Sequence, residues 1–145
     1  MKKLQILLVE DNEGDILLTT EALETMQIAN EISVVKTGNE AIDYMTQSGD
    51  YTQIGLPDLV LLDINLPIKN GFEVLSAIRA HEKSKHIPVI ILTTSSSISD
   101  QSVSNRLKAN LFITKPSELN NYEQVVRMIE KFWMDFNRDR YLRNF

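Results

Sequence analysis

The sequence predicts an α/β fold, a (βα)5 three-layer sandwich whose parallel sheet runs in the order 2-1-3-4-5. Strand-like apolar runs alternate with helix-period segments along the chain, the pattern of a parallel sheet crossed by helices. Three of the five runs are continuous instead of alternating, as strands covered on both faces are. Right-handed crossovers leave few topologies for such a chain. In a sheet of this order the ligand crevice lies beyond the carboxyl ends of strands one and three, where the strand order reverses. Those two strands end in Glu10-Asp11 and in Asp63.

Each element has a local reason. Residues 4–9 form the first apolar run, and Asn12 is a candidate N-cap for a helix over 15–26 that places Ile16, Thr19, Leu23 and Met26 on one side. Residues 32–36 read as the second strand, and 40–46 as a helix repeating Ala41, Ile42 and Met45. The polar stretch 48–57 is long for a helix-to-strand connection. The third strand, 59–63, is followed by a turn between Pro67 and Gly71, with Gly71 expected in a backbone conformation closed to other residues. Asn70 would cap a helix over 72–81 repeating Phe72, Leu75 and Ile78 or Arg79. After the fourth strand, 89–93, comes a weaker, polar helix over 99–107. The fifth strand, 111–114, leads to Ser117 as N-cap and a helix from residue 119 onward that repeats Tyr122, Val125, Val126, Ile129, Phe132 and Trp133.

With 145 residues the chain is one domain long. It has no cysteine, which excludes disulfides, thiolate metal sites and a thiol nucleophile. The apolar stretch after Met1-Lys2-Lys3 stops at Glu10-Asp11, too early for an export signal. No run is long enough to span a bilayer, so a cytoplasmic protein with no membrane partner is expected. A net charge of −5 argues against nucleic acid as a partner.

The strand ends carry the chemistry. Glu10, Asp11 and Asp63 would share one crevice, where three carboxylates raise one another's pKa unless a cation intervenes. A hard dication such as Mg2+ suits them, with Asp11, Asp63 and the backbone carbonyl of Asn65 as ligands and Glu10 acting through water. Asp63 is the candidate nucleophile, a carboxylate able to accept a phosphoryl group as an acyl phosphate. That transfer needs positioning and charge neutralisation more than acid–base chemistry, and Lys115 beside the cation provides it. Thr93 could donate its hydroxyl to the phosphoryl oxygens, and strand alternation allows only one of Thr93 and Thr94 to point that way. Pro116 is expected to shape the turn, through a cis bond that aims Lys115. Taken singly, an acid at a strand end begins a turn and Thr93 fills a strand end; the set in combination points to phosphoryl chemistry.

LLVEDN (7–12), PDLVLLDINLPIKNG (57–71), PVIILTT (88–94) and LFITKP (111–116) occur in one order and spacing. In these the chain resembles the receiver domains of two-component response regulators, over residues 4–132. The resemblance implies a flavodoxin-like fold, a phosphoacceptor at Asp63, an acidic pair at Glu10 and Asp11, a switch hydroxyl at Thr93, a switch aromatic at Phe112 and a pocket lysine at Lys115. It implies Mg2+ as cofactor and a sensor histidine kinase as phosphodonor. The loop GDYTQIGLPD (49–58), the TTSSS stretch (93–97) and KFW (131–133) resemble small single-domain regulators paired with phytochrome-type kinases. The chain departs from the pattern at Phe112, which lacks a tyrosine's hydroxyl, and at Lys108-Ala109-Asn110, where many receivers have glycine; Asn110 is expected to take the turn conformation there.

The expected division is a receiver over 1–132 and a helical extension or tail over 133–145, with no room for an effector domain. Output would then be by binding, to a downstream histidine phosphotransfer protein or an effector, as phosphorylation shifts Thr93 and Phe112. Trp133 or Phe136 is expected to bury itself across a homodimer formed through the last helix; the alternative is that Phe132 and Trp133 pack on their own domain and the rest frays. Two rival functions compete. An aspartyl-phosphate phosphohydrolase would need an acid–base Asp two residues after the nucleophile, where Asn65 stands. A phosphate-independent interaction module would have no use for the acidic pocket. The chain is therefore read as a phosphoacceptor and not as an enzyme.

Overall fold

The structure is a computed structural model that describes residues 2–118 and 121–143, the last four of these by backbone alone. Five parallel strands, β1 (Leu4–Val9), β2 (Asn30–Val35), β3 (Leu59–Leu62), β4 (Val89–Thr93) and β5 (Leu111–Thr114), form one sheet in the order β2-β1-β3-β4-β5. The helices are α1 (Glu13–Glu24), α2 (Gly38–Thr46), α3 (Gly71–Ala80), α4 (Ile98–Arg106) and α5 (Tyr122–Arg143). Fold class and strand order are those expected from the sequence.

Alternation along each strand divides the interior in two. Leu7 and Val9 of β1, Val60 and Leu62 of β3 and Ile91 of β4 face Ala41, Met45, Val74, Leu75 and Ile78 of α2 and α3. Ile6, Leu8, Leu59, Leu61, Ile90 and Leu92 face Leu23 of α1 and Val125, Val126 and Ile129 of α5. Each fully buried Leu or Ile contributes roughly 1.5–3 kcal/mol, so the central strands need no polar face. The edge strand β2 differs, being largely exposed apart from Val35.

Pairing aligns the strand ends. Val9 stands opposite both Val35 and Leu62, and Thr93 opposite Thr114. The ladder then runs one step further: Glu10 N donates to Val35 O (3.0 Å), Asp63 N to Val9 O (3.1 Å) and Lys115 N to Thr93 O (2.6 Å). The residues following β1, β3 and β5 are thus fixed by backbone bonds.

Helix starts follow their caps. Asn12 and Asn70 accept from Asp15 N and Glu73 N, as their positions suggested. Thr37 and Ser97 cap α2 and α4 in the same way. Ser117 does not cap α5, which begins five residues later at Tyr122; the expected start at residue 119 lies outside the described residues. The polar stretch 48–57 contains a single 3-10 turn, Gly49–Tyr51, and its Tyr51 ring lies 5.1 Å from that of Tyr44.

Three turn expectations are corrected. Gly71 has no positive φ; glycine is required there because a Cβ would lie 2.3 Å from Asp63 O and 2.7 Å from Ile64 Cα. Asn110 does not take the left-handed conformation, which falls on Lys108 (φ 68°). Asn110 Oδ1 instead accepts from Val89 N (2.9 Å) and from the Arg79 guanidinium (2.9 Å). No peptide bond among the described residues is cis, so Lys115–Pro116 is trans, and the aim of Lys115 comes from the backbone bond to Thr93 and from its carboxylate partners.

α5 continues past residue 132 without a break. Phe132 and Trp133 pack against the α1/α5 side of the core. Phe136 stacks on Phe132 at 5.6 Å and tilts against Trp133 at 5.9 Å. Among the described residues, no helix is long and apolar enough to cross a membrane.

Candidate functional site

The carboxyl edge of the sheet brings together residues more than 100 positions apart in sequence. Carboxylate oxygens of Glu10, Asp11 and Asp63 all lie within 4.8 Å of one another. Glu10 is 2% exposed and Asp63 6%, whereas Asp11 is open to solvent. Glu10 Oε2 accepts from the amides of Asp11 (3.1 Å) and Asn12 (3.2 Å), and its Oε1 accepts from Lys115 Nζ. Asp63 Oδ1 accepts from Asn65 N at 3.2 Å, and its Oδ2 lies 3.5 Å from Lys115 Nζ.

The Lys115 side chain is almost wholly buried, and a third carboxylate holds it: its Nζ donates to Asp15 Oδ2 at 3.0 Å. Asp15 was not singled out by the sequence reading. It sits in the first turn of α1, where an acidic residue already has a local reason in the helix dipole. Nothing in its spacing from Lys115 announces the contact.

Electrostatics follow from burial and charge count. Burial pushes the Glu10 carboxyl up to about 7; the bond to Lys115 opposes the shift and the nearby charge of Asp63 adds to it. For Lys115, burial alone would lower the ammonium, but its bond to Glu10 and the charges of Asp63 and Glu10 outweigh burial and hold it protonated. Within hydrogen-bonding or ion-pair reach, one ammonium faces three carboxylates, and Asp11 adds a fourth acid beside them. Three hard oxygen donors crowded around an excess of negative charge fit a divalent cation that prefers carboxylate and phosphate oxygens.

Thr93 is fully buried at the end of β4, while Thr94 is exposed. Thr93 Oγ1 accepts from Ser95 N at 3.4 Å, the long end of the hydrogen-bond range. Ser95 is itself held: its hydroxyl donates to Asp100 Oδ2 (2.6 Å) and its carbonyl accepts from Thr114 Oγ1 (2.9 Å). Phe112, half-buried, packs on the α2/α3 side of the core. Gly71 lies against the Asp63–Ile64 backbone and Asn65 N bonds the Asp63 carboxylate, while Pro116 directly follows Lys115.

A buried carboxylate at a strand end, a companion acidic pair and a lysine on the strand beyond the neighbouring one define a phosphoacceptor-type pocket on a doubly wound sheet. The model of the response regulator receiver domain matches residues 6–127, and the chain belongs to that family. It is 40% identical over 130 residues to the response regulator Rcp1 of Synechocystis sp., covering 90% of this chain and 88% of Rcp1. The phosphorylated cyanobacterial phytochrome response regulator RcpA superposes with a TM-score of 0.86 at 43% identity, over 92% of this chain and 95% of RcpA. The Mn2+-bound form of Rcp1 superposes with a TM-score of 0.82 at 40% identity, over 89% of this chain and 93% of that one. The chain is thus a receiver-domain response regulator homologous to phytochrome response regulators.

Proposed function

We propose that the chain is a single-domain response regulator that accepts a phosphoryl group on Asp63 from a phytochrome-type sensor histidine kinase and passes the signal by binding. The observation that carries this reading is Asp63 itself: a carboxylate fixed by Asn65 N, within 4.8 Å of two further acids and 3.5 Å from a buried ammonium. In the reaction an Asp63 oxygen attacks phosphorus, the bond to the donor's imidazole nitrogen breaks, and the electron pair leaves on the ring. Backbone bonds to Val9 and Asn65 hold the nucleophile, which is most of what such a transfer asks of a protein. Lys115 neutralises charge on the incoming phosphoryl oxygens.

We assign Mg2+ to the acidic trio, held by Asp11, Asp63 and the Asn65 carbonyl, with Glu10 contacting it through water. When bound it supplies charge neutralisation between carboxylates and phosphoryl group. That Rcp1 has a Mn2+-bound form supports a divalent ion for this chain. Thr93 and Phe112 are proposed as the switch, and a downstream phosphotransfer protein or effector as the recipient. The receiver is taken as residues 1–132 with 133–145 as its helical extension, working in the cytoplasm. Turnover is a single stoichiometric adduct followed at most by slow self-hydrolysis, not repeated catalysis.

Phosphotransfer tests this. A labelled phytochrome-type histidine kinase should pass its phosphoryl group to the wild-type chain within minutes in Mg2+, and none to Asp63→Asn. Equal labelling of Asp63→Asn would remove Asp63 from the mechanism.

A further inference from the structure

We propose that Asp15 is a positioning residue that holds the Lys115 ammonium back from Asp63 and so sets how fast a phosphoryl group is accepted; this rests on the reading of Asp63 as phosphoacceptor. Asp15 stands outside the three acids whose oxygens cluster within 4.8 Å, so coordination of a cation does not account for it. Its carboxylate instead takes a proton donor of Lys115 at 3.0 Å, shorter than the 3.5 Å from the same nitrogen to Asp63.

An ammonium has three donors. Glu10 and Asp15 hold it within bonding distance, and Asp63 receives it at longer range. When a dianionic phosphoryl group arrives on Asp63, the third donor can turn to it, but drawing the nitrogen in from 3.5 Å stretches the two shorter contacts. Glu10 is poorly suited to give way. Its side chain is 2% exposed, so water cannot readily replace the lysine there. Asp15 is suited: its side chain is 27% exposed, so water replaces the lysine at small cost. The Asn12 side chain, bonded to Asp15 N at 2.9 Å, fixes the backbone that carries this second anchor. Asp15 also adds negative charge facing an anionic phosphodonor. Both effects slow acceptance, and neither involves Asp15 in a bond that forms or breaks.

The test compares wild type, Asp15→Asn, Asp15→Ser and Asp15→Glu with acetyl phosphate at saturating Mg2+. Asp15→Asn and Asp15→Ser should accept phosphate roughly 3- to 10-fold faster, the scale of a partly screened charge contact, with the difference shrinking at high salt. Both should bind the phosphoryl mimic beryllium trifluoride more tightly by a similar factor, while Asp15→Glu stays near wild type. Equal or slower acceptance by the neutral variants, or an Asp15→Glu that behaves like them, overturns the proposal. If no variant takes phosphate on Asp63 at all, the phosphoacceptor reading fails and this inference with it; labelled Asp63 with unchanged rates defeats the Asp15 inference alone.

Discussion

Glu10 is the side chain whose burial is hardest to reconcile with charge. Its carboxyl sits near 7 in the fold against an ordinary 4.5. Between those values the folded chain holds a proton that the unfolded chain has lost, so stability falls as pH rises through this window. The raised Lys115 acts only above its ordinary 10.5 and leaves the window untouched. The metal-free chain should therefore be less stable at about pH 8 than at about pH 5.5, by on the order of 1–3 kcal/mol, and Mg2+ at the higher pH should recover the difference. Thermal melts in chelator and in Mg2+ check this; stability rising steadily across the same range without metal would contradict it. Glu10, Asp11, Asp63 and Lys115 were legible in the sequence because each follows an apolar run, and a parallel sheet sends all such positions to one edge. Asp15 was not, because its contact spans 100 residues and a helix-start acid needs no tertiary explanation. Gly71 was recognised as special for the wrong reason: a close approach of two backbones leaves no periodic trace, and a turn glycine with positive φ is the commoner case.

Among the elements, α3, β4 and β5 are joined by one residue that the sequence reading weighed only as an alternative to Ile78 in the helical repeat. Arg79, half-buried at the end of α3, donates to the carbonyls of Ile87 (2.7 Å) and Lys108 (3.0 Å) and to Asn110 Oδ1 (2.9 Å). Asn110 in turn accepts from Val89 N, so the entries to β4 and β5 share one side-chain staple. A planar guanidinium reaches several acceptors at once, and an ammonium does not. Arg79→Lys should cost about 1–3 kcal/mol in urea denaturation, without altering phosphate acceptance by Asp63; a loss under about 0.5 kcal/mol would show the staple to be dispensable. In sequence Arg79 looks like a solvent-facing residue of a helix's last turn, the placement that the dipole favours. Helix starts were legible where Asn12 and Asn70 stand before a periodic run. They were misread at Ser117, since the described helix starts at Tyr122. The second strand was found late by two residues, since its exposed edge lacks the apolar signal of the inner strands.

At the scale of the molecule, strict β/α alternation and unbroken apolar runs were enough to give the sheet order, because right-handed crossovers exclude most alternatives. The tail was not decided by pattern: aromatic residues at helical spacing suit an interface and a core equally. Phe132 and Trp133 pack on their own domain, and Phe136 stacks on Phe132 and tilts against Trp133, leaving Met134 63% exposed on α5. If the second half of α5 also pairs two copies, truncation after Lys131 should convert a dimer to a monomer in sedimentation velocity. An unchanged sedimentation coefficient after correction for mass would remove that assembly.

Everything the pocket does turns on Asp63 accepting a phosphoryl group. Intact-mass spectrometry after incubation with acetyl phosphate measures it directly. The wild-type chain should gain the mass of one phosphoryl group in Mg2+, none in chelator, and lose it on mild alkaline treatment as acyl phosphates do. Asp63→Asn should gain nothing under any of these conditions. An unlabelled wild-type chain, or an adduct that survives the Asp63→Asn substitution, would contradict it.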